Sequence, residues 1–240
     1  MIILITGASS GIGKQLAIDY LDAGHKVYCC GRNQHALKQV EKQFPDLVTI
    51  LNFEVNSLID CKRQLESLEL LDLAILNAGT CEYIDAINFD AELFSRVVRV
   101  NLEGTANCLQ YLIPKIKRGG SLALMGSSSS FVPLPRAEAY GASKAAIEYL
   151  ARTLRISLKS ANINVTYIAP GFVKTPLTDR NDFPMPMLVD VNFASTHIRK
   201  ELKKRTWLIH FPRNFTWLLK IVRVLPTRVQ HYLIAKTLAY

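Results

Sequence analysis

Short, almost wholly apolar runs alternate along the chain with longer segments whose apolar residues recur every three or four positions. The runs Ile2–Thr6, Lys26–Cys30, Val48–Asn52, Leu73–Leu76, Ser121–Gly126, Asn164–Ala169 and Trp207–His210 predict seven strands. Most lack the polar alternation of a half-exposed strand, so they predict strands covered on both faces. The segments near 12–23, 34–43, 58–66, 91–117, 138–160 and 191–204 predict helices between them. Such alternation predicts an α/β protein, a doubly wound parallel sheet with right-handed crossovers. Two prolines in Asp182–Pro186 mark a loop. The pattern stops at His210, and Phe211–Tyr240 predicts two short helices broken at Pro226. The expected organisation is one domain over 1–210 with a basic, apolar helical extension over 211–240.

With 240 residues, 49% of them hydrophobic, one domain can bury its core without disulfide staples. Five cysteines, no C-x-x-C and no histidine cluster predict reduced thiols and no metal site. No uncharged apolar run approaches the roughly 18 residues of a membrane span. The N-terminus has no basic segment before its apolar run, so a signal peptide is not expected and a cytoplasmic location is. The formal charge of +9 is unevenly placed. Residues 1–196 carry 19 basic and 19 acidic side chains, and residues 197–240 carry 10 basic and one acidic.

The first strand runs into Thr6-Gly7-Ala8-Ser9-Ser10-Gly11-Ile12-Gly13, followed by an amphipathic helix with Leu16, Ala17, Tyr20 and Leu21 on its apolar face. A glycine-rich turn from strand to helix lets backbone N–H groups approach a pyrophosphate, and the helix dipole favours the anion. The same spacing also suits a tight turn with close helix–strand packing.

Thr6–Gly13 resembles the TGxxxGxG loop of the short-chain dehydrogenase/reductase family. Asn77-Ala78-Gly79 resembles that family's NAG motif, Tyr140-Gly141-Ala142-Ser143-Lys144 its YxxxK motif and Pro170-Gly171 its PG motif. All four stand in family order from residue 1 to about 210. The resemblance implies a Rossmann-like fold, a nicotinamide cofactor held by Gly7, Ser9, Ser10, Gly11, Ile12, Gly13, Asn77, Ala78 and Gly79, and a small-molecule carbonyl or alcohol substrate. It also implies a homo-oligomer formed through 91–117 and 138–160.

A dinucleotide fold reads the ribose at the end of the second strand, where an acid bonds the 2′-hydroxyl of NAD and an arginine accepts the 2′-phosphate of NADP. Here Gly31 stands where NAD-preferring relatives carry aspartate, and Arg32-Asn33 follow. A guanidinium without a neighbouring repelling acid predicts NADP(H) over NAD(H), although Ser10 stands where many NADP-preferring relatives carry a second basic residue. Glu54-Val55 falls where the family has an Asp-Val pair against adenine.

Tyr140 and Lys144 are four apart in a helical pattern and so share a face. A nearby ammonium favours the phenolate and lowers the phenol's pKa. In the reduction direction such a tyrosine protonates the oxygen that gains charge. The resemblance places a catalytic serine 13 residues before the tyrosine, at Ser127, with Ser128 as the alternative in the Ser127–Ser130 run. It places the helix asparagine of the proton relay at Asn101. It also implies that the loop Pro170–Pro176 closes on nicotinamide, with Val173 and Thr175 contacting it, Tyr140 and Lys144 helping to hold the cofactor, and Phe131–Arg136 with Thr175–Val191 shaping an apolar or lipid-like substrate site.

In Phe215–Val224 the polar residues Thr216, Lys220 and Arg223 form one helical stripe. With Trp207, Tyr232, Tyr240, Arg213, Arg228 and Lys236 nearby, residues 213–240 suit an anionic membrane surface. They equally suit a helix docked on the sheet or on another subunit with its basic stripe in water. Nucleic acid is a weaker fit, because Lys203-Lys204-Arg205 is short and no aromatic-interleaved groove accompanies it. The expected activity is therefore an NADP(H)-dependent short-chain oxidoreductase. The alternative is a cofactor-binding scaffold that acts through its tail.

Overall fold

The computed structural model describes residues 1–237. Seven strands, β1 (Ile2–Thr6), β2 (Lys26–Gly31), β3 (Val48–Asn52), β4 (Leu71–Leu76), β5 (Ile116–Met125), β6 (Asn164–Pro170) and β7 (Leu208–Phe211), form one sheet in the order β3-β2-β1-β4-β5-β6-β7. Every pairing is parallel. The helices are α1 (Gly11–Asp22), α2 (Gln34–Gln43), α3 (Leu58–Leu65), α4 (Ala91–Val98), α5 (Gly104–Leu112), α6 (Glu138–Ser157), α7 (Val191–Lys203), α8 (Arg213–Arg223) and α9 (Thr227–Thr237).

The sheet has a core on each side, as its unalternating strands require. Leu16 and Leu21 of α1, Leu37 and Val40 of α2, and Ala194 and Ile198 of α7 pack on one face with Ile3, Ile5 and Ile75. Cys61 and Leu65 of α3, Leu109 and Leu112 of α5, and Ile147 and Ala151 of α6 pack on the other with Leu4, Ala74 and Leu122. Strand order reverses between β1 and β4, and that switch point opens a crevice at the C-terminal ends of the strands.

Three elements depart from the sequence expectation. The helix expected over 91–117 is two helices joined by a π-helical turn at Arg99–Glu103, and it stops at Leu112 before Pro114. A proline ring there cannot continue the ladder. β5 accordingly begins at Ile116, five residues early, with a register shift between Leu71 and Leu73 of β4. Gly119 (φ +84) bends the chain there, and Lys117 ties the bent segment to Asp72 at 2.8 Å.

The third departure is the polarity of the tail. Both short helices exist and dock, with Leu219, Val222 and Ile234 joining the core. Yet the polar stripe of α8 bonds to the protein: Thr216 is fully buried, and Arg223, with 39% of its side chain exposed, reaches Glu148 of α6. Tyr240 lies outside the described residues. Among the described residues, no helix is long and apolar enough to cross a membrane.

Candidate active site

The loop between β1 and α1 turns through glycines that no other residue could replace without displacing neighbours. Gly7 has φ +68, and a Cβ there would lie 2.8 Å from the Asn77 amide nitrogen. A Cβ on Gly13 would collide with the Gly7 carbonyl oxygen and the Asn77 side chain, so Gly13 serves helix–strand packing and does not line the crevice. Gly11 has φ +53, and a Cβ there would lie 3.1 Å from the Thr175 methyl. Thr6 ties this loop to the end of β4, its hydroxyl accepting from Asn77 N (2.9 Å) and Ala78 N (3.0 Å).

Ser10 precedes α1 in an extended conformation and makes no side-chain cap, and the first turn holds no acid. The helix therefore presents an uncapped N-terminus to the crevice, where an anion is stabilised. The crevice has a volume of about 340 Å³. Its walls include Gly7, Ser9, Ser10, Gly11, Ile12, Arg32, Asn33, Val55, Asn77, Ala78 and Gly79, with Ser127, Tyr140, Lys144, Pro170, Gly171, Val173 and Thr175 at the other end. The spread of these residues, from an open helix N-terminus to a half-buried phenol, fits a dinucleotide laid across the strand ends.

Arg32 stands at the rim with 71% of its side chain exposed, 3.9 Å from Glu54. Glu54 itself does not line the crevice, whereas Phe53, Val55 and Asn56 do. Asn33 caps α2 by accepting from Ala36 N at 3.1 Å. Asn52, which sequence reasoning passed over, donates to the carbonyls of Gly31 (2.9 Å) and Arg32 (3.0 Å) and so fixes the backbone that carries Arg32.

At the far end, Ser127 follows β5 and Tyr140 projects from the first turn of α6. The Ser127 hydroxyl lines the crevice with the Tyr140 phenol and accepts from Ser129 N at 3.1 Å. Ser128 is buried beside it but does not line the crevice. Lys144 lies one turn on. Its ammonium donates to the Met125 carbonyl at 2.9 Å and sits 5.6 Å from the Tyr140 ring centre.

The electrostatics differ from the sequence expectation of a lowered phenol. Burial, and secondarily Cys81, push the Tyr140 pKa well above its ordinary value, and the Ser127 hydroxyl offsets this only in part. Burial also lowers Lys144 from 10.5 to about 8. Desolvation dominates both shifts, and no direct bond joins the phenol to the ammonium.

Asn101 is buried but lies behind the crevice. It holds the backbone after the NAG motif, accepting from Thr80 N (2.8 Å) and donating to Thr80 O (2.9 Å) and Ser143 Oγ (2.9 Å). It occupies the π-helical turn, and a Cβ on Gly79 would lie 3.1 Å from its carbonyl oxygen and 3.4 Å from the Lys144 ammonium. Asn101, Gly79 and Lys144 thus pack as one group.

A directed hydrogen-bond chain supports Ser127 from behind. Its N–H donates to Tyr167 Oη (3.3 Å), the Tyr167 hydroxyl to Ser130 Oγ (2.9 Å), and the Ser130 hydroxyl to Glu148 Oε2 (2.8 Å). Glu148 is 6% exposed and takes two guanidinium groups, Arg152 at 2.6 Å and Arg223 at 2.9 Å. Gly126 admits the Tyr167 ring, which a Cβ would strike. The substrate walls divide differently from expectation. Pro176, Leu177 and Thr178 line the crevice, while Phe131–Pro135 line a separate cavity of about 650 Å³ that His231 and Ile234 of α9 complete.

Residues 1–183 match the family described as short chain dehydrogenase. An uncharacterised oxidoreductase of Myxococcus xanthus is 30% identical over 232 residues, covering 93% of this chain and 92% of its own. Two solved structures share the fold. A short-chain dehydrogenase of Burkholderia cenocepacia in complex with NADP has a TM-score of 0.86 at 22% identity, covering 97% of this chain and 96% of its own. One of Burkholderia phymatum in complex with NAD has a TM-score of 0.82 at 19% identity, covering 91% of each chain.

Proposed function

Since the chain belongs to the short-chain dehydrogenase family and is an NAD(P)-dependent oxidoreductase of it, we propose that it prefers NADP(H) and interconverts an apolar carbonyl compound with its secondary alcohol. The observation that carries this reading is that Ser127, Tyr140 and buried Lys144 line the same crevice as the uncapped N-terminus of α1.

A bound nicotinamide supplies or accepts the hydride. In the reduction direction Ser127 donates a hydrogen bond to the carbonyl oxygen and stabilises the charge that gathers there. Tyr140 delivers the proton to that oxygen. Its raised pKa keeps the phenol protonated through neutral pH, which suits an acid better than a base. Lys144 holds its ammonium near the phenol and stabilises the phenolate left after proton delivery until solvent returns the proton. Arg32, on a backbone fixed by Asn52, supports the NADP preference. Pro176 and Leu177 in the crevice wall, with Phe172 and Phe183 in edge contact behind them, support an apolar substrate. Exposed Tyr149 and Ile156 on α6 support self-association through that helix. A scaffold without turnover would have no use for this set of acid, hydrogen-bond donor and buried ammonium in one crevice.

Tyr140→Phe tests the mechanism. Reduction across a panel of aldehydes, ketones and acyl-chain carbonyls should fall by roughly a hundredfold to ten-thousandfold, with NADPH affinity unchanged. Near-normal rates would sink the mechanism.

A further inference from the structure

α8 packs Leu219 and Val222 on the core but, unlike an ordinary surface helix, also turns its polar stripe toward the protein. Its polar residues are spent on the protein. Thr216 is fully buried, bonds the Pro212 carbonyl at 2.9 Å and lies 2.7 Å from His210 Nδ1. Lys220 lies 3.2 Å from the other nitrogen of that ring, and Arg223 pairs with Glu148. These contacts fix the roll of the helix. They leave Trp217, Leu218, Ile221 and Val224 pointing outward, at 55%, 57%, 56% and 80% exposure. On α9, Val229 (42%) and Tyr232 (63%) are exposed as well.

Basic side chains border these residues. Exposed Arg213 stands four residues before Trp217, and exposed Arg228 and Lys236 stand four residues either side of Tyr232, each pair on one helical stripe. From residue 202 to residue 236 the chain holds no aspartate or glutamate.

We propose that the outer face of α8 and α9 is a docking surface for an anionic lipid bilayer. The charge pattern selects this occupant. A two-fold contact with a second copy would place the same acid-free, basic rim against itself, whereas anionic headgroups meet that rim with opposite charge. Trp217 and Tyr232 have the amphipathic rings that sit at the headgroup level, and the aliphatic residues between them reach the acyl boundary. A nucleic acid would answer the charges but leave Leu218, Ile221 and Val224 without an apolar partner. The proposal rests on the tail alone and stands apart from the oxidoreductase chemistry.

The full chain is sedimented with phosphatidylcholine vesicles prepared with and without phosphatidylserine, and tryptophan emission is recorded. Binding should require phosphatidylserine, weaken with added salt, and shift the emission to shorter wavelength. A Leu218→Ser, Ile221→Ser, Val224→Ser triple variant and an Arg213→Gln, Arg228→Gln double variant should each bind roughly tenfold more weakly. All five side chains are exposed, so unchanged melting of both variants would show that folding is intact. Three results would overturn the proposal. One is no binding to phosphatidylserine vesicles. Another is vesicle binding that both variants retain. The third is a concentration-dependent dimer, lost in the triple variant, without vesicle binding, which assigns the face to a second copy.

Discussion

Arg32 keeps most of its side chain in water and has only a 3.9 Å pair with Glu54, an interaction worth little in that setting. A 2′-phosphate is a better partner, because it offers charged acceptors to a planar fork of donors. Arg32→Ala should weaken NADPH binding by about tenfold and leave NADH binding within about twofold, read by fluorescence titration of both cofactors. Equal losses would remove Arg32 from phosphate recognition. Half-buried Tyr140 and buried Lys144 set a pH dependence. The phenol stays protonated well past neutrality, and the ammonium loses its proton near pH 8. Carbonyl reduction needs both protons, so its rate should hold through neutral pH and fall as pH rises through about 8. A rate that keeps climbing through that range would show that the Lys144 charge is dispensable. The stability effect runs the opposite way. The lowered folded pKa means that the unfolded chain binds more protons between about 8 and 10.5, so this group's contribution to stability rises with pH across that window.

At the scale of elements, β5, β6, α6 and α8 meet in the chain from Ser127 through Tyr167 and Ser130 to Glu148 and Arg223. Arg223 does not line the crevice, and on the proposed mechanism it would act through this chain as a positioning residue. Arg223→Ala should lower kcat by roughly threefold to tenfold with NADPH affinity unchanged, and Arg223→Lys should restore part of the loss. A purely structural role would instead lower the melting temperature and leave kcat intact. None of this was legible in the sequence, where Arg223 and Thr216 read as a polar stripe for solvent. Their partners Glu148 and His210 lie 75 and six residues away, and a helical repeat records which residues share a face but not which way that face turns. The π-helical turn was hidden for the same reason: it is held by bonds from Asn101 to Thr80 and Ser143, 21 and 42 residues distant.

For the whole molecule, the alternation of apolar runs and amphipathic segments was enough to anticipate a parallel sheet covered on both faces. The four motifs were enough to anticipate which residues gather at the strand ends. They do so because Thr6–Gly13, Asn77–Gly79 and Pro170–Thr175 each begin at or just after the end of a strand of the same sheet, while Tyr140 and Lys144 reach the same edge from α6. Gly13, Glu54 and Asn101 matched motifs yet lie off the crevice, since a motif position can serve packing as readily as contact. The second cavity was invisible because α9, which closes it, joins Phe131–Pro135 only in three dimensions.

The Arg223–Glu148 contact also bears on how the molecule can be taken apart. The tail looks modular along the chain, with a neutral catalytic body before it and a basic appendage after. Cutting at Phe211 would nonetheless leave a buried carboxylate with one guanidinium partner instead of two. It would also strip Phe215 from Gly171 and unroof the cavity beneath α9. A shortened chain would thus be a different enzyme rather than the same enzyme without an anchor, and the two roles of the tail are separable only by point substitution.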